Sequence, residues 1–207
     1  MKKLPVDLLF HPDTFFRNIT KENANLVLPV IIVSAGCAIS VAGIAVPLIF
    51  LSYIPPFSPA ESHHFGLTVF VWYLIRCYLL PPFLGWGLVS GTMFLISRLF
   101  TKTGSFFAIL QNTGYGLLPW VISTVIVAGA KLALTSETGY YPNLFLVPSN
   151  FVAIVFYASL LWCCYLWVFA IKHTCRLPLS RATAVVVIMI LVFALAVYIP
   201  AYFPTVF

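Results

Sequence analysis

The chain has 207 residues, 62% of them hydrophobic and 8% charged, with a net charge of +6 and a mean hydropathy of +1.05. Soluble domains are about half apolar and about a quarter charged, so a water-soluble globule is excluded and an integral membrane protein is indicated. The positive balance has no soluble basic domain to sit on. That excludes nucleic acid and leaves the anionic bilayer surface, worth about 1 kcal/mol per basic residue.

Residues 1–25 read as a cytoplasmic, interfacial lead-in. Asp7, His11, Pro12 and Asp13 interrupt the apolar residues of the start before any membrane-length run, so a cleaved signal peptide is not expected. In HPDTFFRNIT, Phe15, Phe16 and Ile19 share one helical face, which predicts a short helix on the inner leaflet.

Five stretches carry no charged side chain: 26–60, 77–97, 103–130, 138–171 and 182–207. Each exceeds or approaches the about 20 apolar residues that a bilayer requires. They predict spans near 27–50, 70–99, 115–135, 151–171 and 183–203, filling residues 1–207 as a single membrane domain. The runs are continuous rather than alternating, so helices are expected and not a barrel. The fold class is all-α: a polytopic helical bundle with short interfacial helices.

Within the first span Gly36, Ser40 and Gly43 offer a small-residue face. The loop that follows, YIPPFSPAESHHFG, holds Glu61, His63 and His64, but a metal site needs ligands converging on a rigid frame. The second span brings Arg76, a candidate intramembrane polar site by default, with snorkelling to the headgroups as the simpler reading. Pro81 and Pro82 predict a kink or interruption. Beyond them Gly87 and Gly91 form a GxxxG spacing suited to close helix approach.

A polar connection leads to GSFFAILQ, where Ser105 is placed to cap a helix and Phe106, Phe107 and Leu110 could dip into the leaflet. NTGYGLLPW comes next. Tyr115 and Trp120 suit the headgroup boundary, Pro119 suits a helix start, and Gly114 and Gly116 permit a bend or a close neighbour. An entry corner is the expectation. The fourth span is rich in Trp162, Tyr165 and Trp167 and ends in Lys172, His173 and Arg176.

Lys2, Lys3, Arg17, Lys21, Arg98, Lys102, Lys172, Arg176 and Arg181 fall on one side of this arrangement, against Lys131 on the other. The basic side is cytoplasmic, which puts the N-terminus inside and the C-terminus outside. The cysteines Cys37, Cys77, Cys163, Cys164 and Cys175 form no CxxC pair, so neither disulfide, metal nor cofactor is expected. No HExxH, GxSxG or Walker A run occurs. The acids Asp7, Asp13, Glu22, Glu61 and Glu137 lie outside the span cores, which argues against an enzyme or an ion-driven pump.

The order of HPDTFFRNITKENANLVLP, LLPPFLGWGLVSGTMFLISRLF, GSFFAILQNTGYGLLPW and YLWVFAIKHTCRLPLSRATAVVV resembles the Yip domain family, named for Ypt/Rab-interacting proteins, and its prokaryotic members most of all. Gly114, Tyr115, Leu118 and Pro119 stand where that family has its Gly-Tyr and Leu-Pro. The resemblance implies a multispan membrane protein. Its eukaryotic members associate with prenylated Rab GTPases and with one another, and carry an Asp-Leu-x-Gly-Pro signature. This chain reads LLPPFLGW there and lacks their long cytosolic N-terminal region, which counts against small-GTPase binding. The leading expectation is a non-enzymatic scaffold or membrane-organising protein that packs with itself or with other membrane proteins. The alternative is a small-solute permease or channel, and membrane shaping is a third reading. A plasma-membrane location is expected for a prokaryotic protein.

Overall fold

The structure, a computed structural model, describes residues 4–20, 25–52, 75, 79–138 and 149–202. Among these every regular element is helical: α1 (Leu4–Phe10), α2 (Pro12–Ile19), α3 (Val27–Ser52), α4 (Leu80–Ser97), α5 (Phe106–Tyr115), α6 (Leu118–Thr138), α7 (Ser149–Thr174) and α8 (Leu179–Tyr202). Arg76 and the loop carrying Glu61, His63 and His64 lie outside the described residues.

Among the described residues, four stretches are long and apolar enough to cross a membrane: Leu80–Ser97, Phe106–Lys131, Asn150–Thr174 and Leu179–Ala196. They correspond to the second through fifth expected spans. Helix α3, 26 residues long, overlaps the first in position. Large apolar side chains point outward, among them Leu88 and Leu95 of α4, Ile154 and Leu161 of α7, and Leu195 of α8. A hydrocarbon solvent accepts such a surface, since lipid tails are as apolar as leucine.

Pro81 and Pro82 stand in the opening residues of α4, which directly follows the π-helical Leu79, and residues 76–78, where the expected kink would also fall, lie outside the described residues. At the expected corner α5 ends at Tyr115 and α6 begins at Leu118. Gly116 keeps right-handed helical angles (φ −64°, ψ −11°), and its N–H donates to Asn112 O at 3.2 Å. Helices α5 and α6 therefore join through a two-residue turn, and the apolar stretch starts at Phe106 rather than near 115.

Side chains cap the helices as their chemistry dictates. Ser105 Oγ accepts from Ala108 N at 3.2 Å and starts α5, as its position in the sequence predicts. Helix α7 ends in a Schellman-type turn: Leu177 N donates to Lys172 O at 3.0 Å, with Arg176 held at φ 52°.

The chain divides into two compact units. Unit 1 contains Met1–Pro29, Trp86–Gly116 and Cys164–Phe207, and its fully buried side chains include Phe16, Met93, Ile109, Leu166, Ile171 and Val185. Unit 2 contains Val30–Gly85 and Leu117–Cys163, with Val33 and Cys37 buried. There α3 and α6 approach closely: a Cβ on Gly43 would lie 3.2 Å from Ala128 Cβ.

Candidate functional site

The least generic chemistry lies inside unit 1, where α5 ends. Gln111, Asn112 and Thr113 are consecutive, polar and buried. A buried polar group left unpaired costs about 1–3 kcal/mol, so each needs a partner from another part of the unit. Gln111 Oε1 accepts from Asn25 N at 3.0 Å, just before α3. Asn112 Nδ2 donates to Thr174 Oγ1 at 2.6 Å, whose own proton goes to Ala170 O. The Thr113 hydroxyl meets that of Ser90 on α4 at 2.6 Å. Among the described residues, one buried side-chain atom has no partner: Asn112 Oδ1.

Two tryptophans close the junction. Trp86 Nε1 donates to Leu110 O at 2.9 Å, and Trp167 Nε1 donates to Thr113 O at 3.0 Å. Carbonyls in the last turn of a helix have no donor within it; the Trp167 indole supplies one to Thr113. The flanking glycines make room for the rings. A Cβ on Gly114 would stand 2.7 Å from Pro29 Cβ and 2.9 Å from Trp86 Cζ2, and one on Gly116 would run into the Trp167 ring. Tyr115, between them, is buried and packs edge-on against Phe15 of α2 with centroids 5.4 Å apart.

The lead-in is fastened to the same unit. Phe15 and Phe16 are buried in protein, whereas the sequence suggested a lipid-facing surface. Asp13 Oδ1 accepts from Lys172 Nζ at 2.5 Å and lies 2.9 Å from His173 Nε2. The hydrogen bond from Lys172, and after it that from His173, holds the Asp13 carboxyl below its ordinary value, against a smaller upward push from desolvation. Arg98, at the end of α4, donates to the carbonyls of Lys102 and Gly104 and so ties down the connection to α5. Burial pushes the Cys175 thiol up, the direction that makes a cysteine inert.

The motif residues Gly114, Tyr115 and Gly116 thus converge on one junction. Pro119 is buried but belongs to unit 2, as do Pro81 and Pro82. Gly87 and Gly91 are on α4 but outside the junction: a Cβ on either meets nothing within 4 Å. The partners that sequence reading missed are Trp86, Trp167, Thr174 and Asp13. A signal existed, since three successive polar side chains in an uncharged membrane-length run must find partners. Among the described residues, no three of His, Cys, Asp or Glu gather where they could hold a metal ion. What the junction can do is fix helices against one another.

These features define a class: an apolar, all-helical membrane protein whose helix ends are pinned by a buried polar junction. The Yip1 domain matches residues 6–199, and the chain belongs to that family, which is not known for enzymes. It is 31% identical over 128 residues to an uncharacterised protein of the archaeon Methanocaldococcus jannaschii, a match covering 58% of this chain and 83% of that relative. No solved structure matches the chain.

Proposed function

We propose that this protein is a non-enzymatic scaffold that organises the membrane by packing against a second copy of itself or against other membrane proteins. The observation that carries the reading is the outward face of α4. Leu84, Leu88 and Leu95 are exposed along it, and Gly87 and Gly91 lie one turn apart between them with no heavy atom near where a Cβ would be. A glycine inside a helix costs about 0.5–1 kcal/mol relative to alanine. Among the described residues no contact compensates for it here, whereas close approach by another helix would. The reading includes five spans, α3 among them, with the N-terminus cytoplasmic and the C-terminus outside, supported by the nine basic residues on one side. No comparable observation favours a permease.

The test is crosslinking in native membranes, comparing the wild type with Gly87→Leu and Gly91→Leu. A discrete crosslinked species lost in variants that still insert is the expected result. A chain that stays monomeric at every expression level, or crosslinks unchanged by both variants, refutes the proposal. Reporter fusions at residue 62 and after residue 207 check the topology.

A further inference from the structure

Unit 2 holds a half-open cavity of about 230 Å³ between α3, α6 and α7. Its walls are mostly apolar, and its lining includes Ser40, Trp120, Ser123, Thr124, Phe156 and Lys131. Gly36 allows the Trp120 ring to lie against α3, since a Cβ there would strike it. Along α6, Trp120 and Lys131 are about 16 Å apart. Lys131 is the first charged residue after the uncharged run 103–130, so of the residues in the lining it is the one suited to the headgroup boundary.

The polar groups are unevenly committed. Ser40 Oγ donates to Gly36 O at 2.8 Å, Ser123 Oγ to Trp120 O at 2.7 Å, and Thr124 Oγ1 to Val121 O at 2.7 Å. Their protons are spent within their own helices. Among the described residues Lys131 is the one cation in the lining, and none of them is an acid. A ligand that fits must bring a negative charge to the Lys131 end and apolar surface to the rest. A cavity of about 150 Å³ accepts benzene; by proportion this one accepts on the order of nine carbons of a chain. It has no room for a second chain, and half-exposed Phe156 at its edge leaves an open side.

We propose that this cavity binds an anionic phospholipid, one acyl chain lying along α6 toward Trp120, the phosphate on Lys131 and the second chain outside in the bilayer.

Full-length protein purified from bilayers of phosphatidylglycerol and phosphatidylcholine is examined by native mass spectrometry. One retained phosphatidylglycerol per chain is expected, with retention falling about fivefold in Lys131→Gln. Lys131→Arg should keep the lipid. Thr124→Phe, which fills the slot and spares the cation, should release it, and Lys102→Gln should change nothing. Equal retention of phosphatidylcholine overturns the proposal, as does undiminished binding in both Lys131→Gln and Thr124→Phe. Retention of free fatty acid with no phosphatidylglycerol also overturns it. Helicity and elution volume matching the wild type identify the variants that count.

Discussion

Adding one methyl group at Gly114 and one at Gly87 should move stability in opposite directions. At Gly114 the new Cβ would press on Pro29 Cβ at 2.7 Å and on the Trp86 ring at 2.9 Å. The proline ring has no rotamer into which to retreat, so Trp86 must move. Overpacking of this kind costs about 1–3 kcal/mol. Displacing Trp86 also weakens its bond to Leu110 O, worth about 0.5–1.5 kcal/mol. Against this, alanine gains about 0.5–1 kcal/mol over glycine through lower chain entropy. Gly114→Ala should therefore destabilise by about 1–3 kcal/mol. At Gly87 nothing stands in the way, and only the entropic gain of about 0.5–1 kcal/mol remains. The assay is unfolding by sodium dodecyl sulfate in detergent micelles, followed by circular dichroism at dilutions where the chain is monomeric. A Gly114→Ala protein as stable as wild type, or both substitutions shifting stability the same way, would refute the packing described at the junction.

Replacing Trp167 by Phe removes the donor to Thr113 O and should cost about 1–3 kcal/mol in the same assay; a loss within error would show that the indole bond contributes nothing. Arg176→Gly relieves a side-chain-bearing residue at φ 52° on an exposed turn. It should stabilise by about 0.5–1 kcal/mol after the extra chain entropy of glycine is subtracted, read as a higher unfolding midpoint. The Asp13 carboxyl is held below its ordinary value of 3.8, first by Lys172 and then by His173. A depressed carboxylate contributes stability above that ordinary value and loses it as pH falls through its lower folded value. The difference between wild type and Asp13→Asn should therefore be present above pH 3.8 and fall away as the pH drops below it. Because the pair is half-exposed, the difference should be about 0.2–1 kcal/mol, and one that grows as the pH falls below 3.8 would contradict the pairing.

The helical class and the approximate extent of the membrane stretches were legible because lipid imposes a rule on continuous sequence: long uncharged runs must satisfy their backbones internally. Ser105 was legible for a similar local reason, since a cap acts on amides three residues away. The junction was only half legible. Gly114, Tyr115 and Gly116 stood out, but what fills the space they leave comes from Trp86 and Trp167 on other helices. Asp13 and Lys172 are 159 residues apart, and no periodicity links them. Gly114 and Gly116 allowed either a bend or a close neighbour, and only packing shows the rings that stand against them. Phe15 and Phe16 show the same limit: an apolar face on a short helix fits lipid or protein equally well, and only packing assigns it.

The two indoles that seal the junction are also its native chromophores. Trp86 and Trp167 account for two of the chain's five tryptophans, and each N–H is bound to a backbone carbonyl near the end of α5. Loosening of that end would expose both rings to a more polar setting and shift their emission to the red. The protein thus carries its own optical gauge of whether the end of α5 is docked, readable in intact membranes without attaching a dye.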